Sequence, residues 1–224
     1  MSEIKVVTNI LKANDELSAL NSKKFDEKSI YVINLMSSPG SGKTSILEKV
    51  ITKLKPEMKI GIIEGDLYTT MDTQRIESKG VPVVQINTEG ACHLDANMIQ
   101  DAINNLNLNG LELLVVENVG NLVCPAEFEI GEDIKITVLS TTEGNDKPLK
   151  YPLAFEKSGA VILNKVDLIE YTDFDKQRFY DDVRSINETV TFFETSCTKD
   201  LGLDELCIWI KNKVEEKQNA SKGK

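Results

Sequence analysis

Short apolar runs alternate with amphipathic stretches along most of the chain. Seven runs have the length and the Val, Ile and Leu content of buried strands, and they span residues 31–36, 59–65, 81–86, 111–118, 134–140, 160–165 and 190–195. Strands that are apolar throughout and separated by helical segments form parallel sheets that are covered on both faces. The pattern therefore predicts an α/β fold, with a mostly parallel sheet of about seven strands and helices on both faces.

Both ends of the chain show a helical spacing of apolar residues. Residues 1–28 predict a helical lead-in, in which a polar stretch around Asn14 interrupts only the apolar spacing. Residues 203–217 predict an amphipathic helix, and the polar remainder, residues 218–224, predicts a flexible tail. Because neither a linker nor an internal repeat divides the sequence, we expect one domain over residues 1–224.

The charge balance restricts the possible partners. The chain has 224 residues, of which 36 are Asp or Glu and 26 are Lys or Arg, so its formal net charge is −10. A protein that binds nucleic acid needs a positive electrostatic field to attract the phosphate backbone, so no nucleic-acid partner is expected. The sequence has no apolar run of about 18 residues and no export signal, which favours a cytoplasmic protein without a membrane span. In that compartment the four cysteines are expected to be reduced thiols.

A glycine-rich segment, SSPGSGKTS over residues 37–45, follows the first predicted strand and opens a helix. A phosphate-binding loop requires this strand, loop and helix context. Gly40 and Gly42 allow backbone N–H groups to turn towards phosphate oxygens at the start of the helix. Lys43 would neutralise phosphate charge, and Thr44 would bind Mg²⁺. The fold is thus predicted to be that of a P-loop NTPase, and the residues expected to bind nucleotide there are Gly40, Ser41, Gly42, Lys43, Thr44 and Ser45.

The sequence NKVD after the sixth predicted strand indicates a preference for GTP over ATP. A carboxylate at Asp167 accepts from the N1–H and the exocyclic amine of guanine, whereas adenine would leave that charge unpaired. Asn164 is expected to bond the O6/N7 edge of the base, and the stem of Lys165 to lie over the ring. A backbone N–H of Ser196 or Cys197, in the downstream sequence TSCTKDLG, is expected to meet guanine O6.

Two further acidic segments, residues 64–75 and 117–121, lie at predicted strand ends that face the phosphates. Asp66 and Glu117 are expected to hold Mg²⁺ or its waters, because Mg²⁺ takes few protein ligands and keeps several waters. Asp72 is expected to orient the attacking water, and the second segment is expected to sense the γ-phosphate. The predicted catalytic set is Lys43, Asp66, Asp72 and Glu117.

Two cysteines and a histidine set this sequence apart from a plain GTPase. His93, the only histidine, follows Cys92 directly, and Cys124 lies shortly after the 117–121 segment. Thiolate and imidazole ligands select Ni²⁺, Zn²⁺ or copper over Mg²⁺. Three ligands hold a metal incompletely, whereas two copies of the chain could share ions across a two-fold axis. The alternative is a buried Cys124, a surface His93 and an incidental Cys92 without any metal.

Taken in order, the motifs resemble the HypB family of nickel-handling GTPases over nearly the whole length of the chain. The most specific motifs are GACHLDA (90–96) and ENVGNLVCP (117–125). The resemblance implies GTP hydrolysis, GTP-promoted dimerisation, and delivery of Ni²⁺ to the large subunit of [NiFe]-hydrogenase together with a HypA-type nickel chaperone. It also implies that Lys147 or Lys150 contacts the nucleotide of the neighbouring subunit. The residues that the resemblance places as metal ligands at the dimer interface are Cys92, His93 and Cys124.

Other functions compete with this interpretation. The urease accessory GTPases share the phosphate and base motifs, but their metal motif is a Cys-Pro-His triplet, whereas Ala126 follows Cys124 and Pro125 here. A P-loop kinase of a small molecule would need the same phosphate loop but not NKVD, and it would normally carry an arginine-rich lid. A third alternative is a scaffold that GTP gates without relevant hydrolysis.

Overall fold

Seven apolar segments form the strands of one sheet, and they lie close to the positions that the sequence predicts. The structure, a computed structural model, describes residues 6–66 and 71–222, with only the backbone of residues 6–9. The strands are β1 (Tyr31–Ser37), β2 (Ile60–Asp66), β3 (Val83–Asn87), β4 (Leu113–Gly120), β5 (Ile134–Ser140), β6 (Ser158–Asn164) and β7 (Thr191–Glu194). All neighbouring pairs are parallel, in the order β3-β2-β4-β1-β5-β6-β7. The predicted parallel sheet of seven strands is confirmed.

Helices cover both faces of this sheet. They are α1 (Val6–Glu27), α2 (Lys43–Leu54), α3 (Met71–Glu77), α4 (Ala96–Asn105), α5 (Cys124–Glu127), α6 (Lys147–Lys150), α7 (Pro152–Glu156), α8 (Lys176–Ile186) and α9 (Leu203–Lys222). Alternate strand residues point to opposite faces, so Ile33 packs with α2, α3 and α9, whereas Val32 packs with α1 and α4. The opposite half of this second face is covered by α7 and α8. None of the helices in the described ranges is long and apolar enough to cross a bilayer.

The first helix runs unbroken through the polar stretch that interrupts its apolar spacing. Asn14 lies in the middle of α1, is only 6% exposed, and forms hydrogen bonds to backbone groups of distant segments. The polar stretch does not end the helix, because its buried polar residue is satisfied by tertiary partners.

The last helix also runs beyond its predicted end. Residues 218–222 of the predicted tail form the final turn of α9. Gln218 donates to Glu112, the residue before β4, and Ser221 donates to the Lys217 carbonyl. These contacts explain why the helix continues through polar residues, and they correct the tail prediction for 218–222; residues 223–224 lie outside the described part.

A buried ion pair anchors the entry to β5. Lys135 Nζ lies 2.5 Å from a Glu132 carboxylate oxygen, and both side chains are 3% exposed. The same ammonium donates to Glu129 at 2.7 Å and to the Phe128 carbonyl at 3.1 Å. Burial alone would raise the pKa of Glu132, but the charge and hydrogen bonds of Lys135, with bonds from Asn34 and the Ile130 N–H, lower it overall. This network fixes the segment that precedes β5.

Candidate functional site

The phosphate loop connects β1 to α2 at the carboxyl edge of the sheet. Gly40 and Gly42 both have positive φ, 79° and 94°, a conformation that favours glycine. Gly42 is the residue before α2, and a side chain there would collide with the Asn164 amide. The loop therefore presents backbone groups at a helix N-terminus, the arrangement that binds phosphate. The expected phosphate-binding residues 40–45 all line one cavity of about 510 Å³.

Three side chains meet at the start of α2. Thr44 Oγ1 donates to Glu117 Oε1 at 2.6 Å, and Lys43 Nζ lies 3.5 Å from the same oxygen. Burial raises the pKa of Glu117, while Lys43 and Thr44 oppose that rise. Within the described ranges, the second oxygen of Glu117 is buried and has no hydrogen-bond partner. An orphaned carboxylate oxygen beside a threonine hydroxyl fits an oxygen-ligated divalent cation such as Mg²⁺.

A carboxylate that the sequence analysis did not select lies beside this group. Glu64 is adjacent to Glu117 in the β2–β4 register, is 3% exposed, and accepts a 2.6 Å hydrogen bond from Thr73 on α3. Burial, reinforced by the charges of Glu117 and Asp66, raises the pKa of Glu64 to about 7. Asp66, at the end of β2, lines the same cavity. The sequence does contain an indication, because Glu64 is a charged residue inside an otherwise apolar strand.

Helix α3 brings a further carboxylate and a guanidinium group to the cavity. Asp72 pairs with Arg75 at 2.9 Å, and Arg75 also contacts Glu48 at 2.6 Å and donates to Ser45 Oγ at 3.1 Å. Both Asp72 and Arg75 line the cavity. The orientation of water by Asp72 stays a prediction, and residues 67–70 of the same segment lie outside the described ranges.

Asn164 connects two loops instead of facing open space. Its Nδ2 donates to the Ser41 carbonyl at 2.9 Å, and its Oδ1 accepts from Thr195 Oγ1 at 3.0 Å. The side chain is buried, so both of its polar ends are used within the protein. Because the amide nitrogen carries two N–H groups and Ser41 takes one of them, the expected contact with the O6/N7 edge of guanine stays a prediction. Asn164 also holds the phosphate loop against the loop after β7.

The other base-site residues surround this bridge. Lys165 has φ 59° and donates to the Gly40 carbonyl at 2.7 Å, so its stem extends from the base side to the phosphate loop. Asp167 is half-buried, and hydrogen bonds from Ser196 and Thr198 lower the pKa of its carboxyl group. It is therefore ionised at neutral pH and oriented by the loop that also carries Cys197. Burial raises the pKa of the Cys197 thiol, which is thus protonated.

Cys92, His93 and Cys124 lie together, and their ligand atoms are all within 4.8 Å of one another. The two sulfur atoms are 2.9 Å apart, and Cys92 Sγ is 3.8 Å from His93 Nδ1. Cys124 is the first residue of α5, whereas Cys92 and His93 lie in the loop before α4. Both residues precede the helix rather than opening it, because Asp95 caps α4 by accepting from the Met98 N–H.

The surroundings of the cluster influence the protonation states of its ligands. The His93 ring packs on Phe128 with centroids 3.9 Å apart, and burial lowers the pKa of His93, so the imidazole is neutral at pH 7. Burial and the neighbouring Cys92 raise the pKa of Cys124, so metal binding there must release a proton. All four cysteines of the chain are free thiols. The arrangement suits a thiophilic divalent ion.

The segment after Glu117 joins the two sites. Asn118 accepts from the Leu94 N–H at 3.0 Å, and Asn121 donates to the Cys92 carbonyl at 3.1 Å. Gly120 lies against the phosphate loop, where a side chain would come within 3.2 Å of Pro39. A movement of this segment in response to a phosphate would therefore be transmitted to the loop that carries Cys92.

Lys150 lies apart from the cavity that residues 40–45 line. It is largely exposed and forms an ion pair with Asp146 one turn earlier in the chain. Its expected contact with a nucleotide would have to involve a neighbouring subunit, and it stays a prediction.

The combination of these features has counterparts among known proteins. Residues 31–194 match the family described as CobW/HypB/UreG, nucleotide-binding domain. The chain is 43% identical over 207 residues to the Escherichia coli K12 protein named hydrogenase maturation factor HypB, a match that covers 92% of this chain and 71% of that relative. The chain belongs to the HypB branch of the CobW/HypB/UreG family. The resemblance drawn from the motifs is confirmed.

Solved HypB structures agree with this assignment. A crystal structure of HypB from Helicobacter pylori in complex with nickel superposes with a TM-score of 0.87 and 38% identity, covering 91% of this chain and 96% of that one. HypB from Archaeoglobus fulgidus gives a TM-score of 0.85 and 32% identity, covering 91% and 100% of the two chains. The α/β P-loop fold is therefore that of the HypB family.

Proposed function

We propose that this HypB-family chain is a GTP-hydrolysing nickel metallochaperone that assists nickel insertion into [NiFe]-hydrogenase. One observation carries the proposal: the strand end that bears Glu117 in the phosphate cavity continues directly to Cys124 in the thiol and imidazole cluster. A plain GTPase has no need for this continuity. The relative of known structure that was crystallised with nickel supports the choice of Ni²⁺ as cargo, with Zn²⁺ as the competing ion.

In the nucleotide half, Lys43 and the loop N–H groups would bind the phosphates, and Asp167 would select guanine. Thr44, Asp66 and Glu117 would hold Mg²⁺, which when bound neutralises phosphate charge. Asp72 would orient the attacking water, and Glu64 would hold α3 in place through Thr73. Asp66, Asp72 and Glu117 line the same cavity as the phosphate loop, where a Mg²⁺ ion held by such carboxylates would neutralise charge on the reacting phosphates.

In the metal half, the three ligands of one chain leave at least one position of a tetrahedral or square-planar ion open. A second copy of the chain would complete the site across a two-fold axis, in a homodimer promoted by GTP. Such a shared site releases its ion when the dimer loosens, which suits transfer from a HypA-type chaperone to the hydrogenase large subunit. Lys150 is the residue we propose to contact the partner's nucleotide.

The coupling would use the bridge between the sites. Contact of a γ-phosphate with the loop around Pro39 would press on Gly120, and Asn121 would move the Cys92 carbonyl with it. Hydrolysis would remove that contact and loosen the cluster. The ligand affinities for metal and nucleotide must then be linked, and linkage of binding is reciprocal.

The test is a titration of the full chain with Ni²⁺, in GDP and in a non-hydrolysable GTP analogue, with the oligomeric state measured in parallel. We expect a different nickel affinity in the two nucleotide states and dimerisation with the analogue. Cys124→Ala should abolish the difference, whereas the control Cys207→Ala, in the core near α2, should retain it. A Cys124→Ala protein with unchanged nickel stoichiometry and dimerisation would disprove the metallochaperone mechanism.

A further inference from the structure

Helix α1 lies across the two segments that deliver the metal ligands. Asn14 Oδ1 accepts from the Ala96 N–H at 2.8 Å, and its Nδ2 donates to the Glu129 carbonyl at 2.7 Å. Two helical turns further along α1, Asn21 Nδ2 donates to the Ala96 carbonyl at 2.8 Å and to the Ile130 carbonyl at 3.3 Å. Two side chains of one helix thus join the same two segments twice.

These segments are the ones that bring the ligands together. Ala96 begins α4, three residues after His93. Glu129 and Ile130 follow Phe128, whose ring packs on His93, and Phe128 directly follows the short helix that begins with Cys124. How the start of α4 is held relative to residues 128–130 therefore contributes to the distance between His93 and Cys124, beside the bonds of Asn118 and Asn121.

The two asparagines are suited to this task by position and chemistry. They are seven residues apart, two helical turns, so they share one face of α1. Their exposed fractions are 6% and 1%. An amide can accept from an N–H while it donates to a carbonyl, as Asn14 does, and its two N–H groups can donate to two carbonyls, as those of Asn21 do. The helix also approaches closely at Gly131, where a side chain would lie 2.7 Å from Asn21 Cβ.

We propose that α1 is a clasp for the metal site, and that Asn14 and Asn21 are positioning residues that hold the His93 and Cys124 segments at coordinating distance. The inference rests on the proposed nickel function. It makes nickel affinity depend on the docking of α1, so that a displacement of this helix would release the ion without any change at the nucleotide. The Lys135 ammonium supports the same segment from the other side, through the Phe128 carbonyl.

A purely structural role for the two amides makes a different prediction. Loss of a buried hydrogen bond would then lower the stability of the fold. It would lower the affinities for nickel and for nucleotide together, or it would change neither of them. The clasp predicts a selective loss at the metal site. Contacts at the other end of the same region provide the matched control: Lys24 of α1 donates to Asn104 near the end of α4, and Lys28, just after α1, donates to Asn109 in the loop that follows α4.

The experiment compares the full chain with Asn14→Ala, Asn21→Ala and the control Lys24→Ala/Lys28→Ala. Nickel affinity and the thiolate-to-nickel absorption band are measured with GDP bound, and GDP affinity is measured separately. We expect each asparagine variant to lose nickel affinity by about tenfold, the scale for supporting contacts of metal ligands, with an altered band and unchanged GDP affinity. The control should match the unmodified chain.

Asn14→Asp is the second variant if an alanine variant fails to fold. It can still accept from Ala96, but it places a carboxylate against the Glu129 carbonyl, so the clasp predicts at least an equal loss of nickel affinity. Parallel losses of nickel and GDP affinity, an equal loss in the lysine control, or full nickel affinity in Asn14→Asp would each overturn the inference. Failure of the unmodified chain to bind nickel would instead overturn the proposed function, and the inference with it.

Discussion

Leu94 packs directly on Gly65, so closely that a Cβ at position 65 would lie 2.8 Å from two atoms of the leucine side chain. Gly65 stands between Glu64 and Asp66 at the end of β2, and Leu94 follows His93. The contact therefore joins the strand end with the proposed magnesium carboxylates to the loop with the proposed nickel ligands. It is a second route between the sites, beside the one through Asn118 and Asn121.

The first prediction concerns this contact. Leu94→Ala should leave nickel and GTP binding separately measurable but should abolish most of the dependence of one on the other, because a cavity replaces the contact. The core truncation should also cost about 2–5 kcal/mol of stability. Nickel titrations in GDP and in the GTP analogue provide the measurement. Leu108→Ala, a truncation elsewhere in the same core cluster, should retain the coupling; if it loses the coupling equally, the effect is general destabilisation.

The second prediction concerns base selection. Asp167→Asn should weaken the binding of GTP on the order of a hundredfold or more, because the carboxylate that accepts from the guanine N1–H and amine is lost. The binding of xanthosine triphosphate should be weakened much less, since an amide can donate to its additional carbonyl. Competition binding with both nucleotides checks this prediction. Equal losses for the two would show that Asp167 supports the loop without contacting the base.

The third prediction concerns Glu117. Glu117→Gln should reduce magnesium-dependent hydrolysis by about a hundredfold, the upper end of what a supporting metal contact contributes, because the orphaned buried oxygen becomes part of a neutral amide. Single-turnover hydrolysis over a range of Mg²⁺ concentrations provides the readout, and excess Mg²⁺ should restore part of the rate. Glu77→Gln, on the exposed end of α3, is the control. A rate that does not respond to Mg²⁺ in either protein would contradict the assignment.

The fourth prediction concerns the buried pair of Glu132 and Lys135. Glu132→Gln should lower the free energy of unfolding by about 3 kcal/mol at pH 7, because the lysine charge stays buried without its main partner. Since the folded pKa of Glu132 is lowered, its contribution is present above the unfolded value of about 4.3 and is lost as the pH falls through the folded value.

Urea unfolding at pH 7 and below pH 4 tests this expectation, and the difference between variant and unmodified chain should narrow in acid. Glu129→Gln removes the more exposed partner of the same lysine, 40% exposed, and should cost less than about 1 kcal/mol. A pH-independent difference would assign the loss to packing.

The sequence was sufficient for the sheet, the phosphate loop and the thiol and imidazole set, because each depends on local pattern or on a short motif. It was insufficient where a side chain's role depends on distant partners. The sequence does not show that Asn14 is satisfied by backbone groups far away in the chain. It also does not show that Asn164 joins two loops, whatever its contact with the base. Glu64 was missed because only the β2–β4 register brings it beside Glu117.

The strand order gives β1 a dividing role. On one side lie β4, β2 and β3, which end at the acidic groups and the cysteine loop; on the other lie β5, β6 and β7, which end at NKVD and its companion loop. A triphosphate bound by the phosphate loop after β1 would lie between these two sets of loops. Substitutions that change which nucleobase is bound therefore lie in one half of the molecule, and substitutions that change which metal ion is bound lie in the other. Evolution could exchange either preference while leaving the other intact.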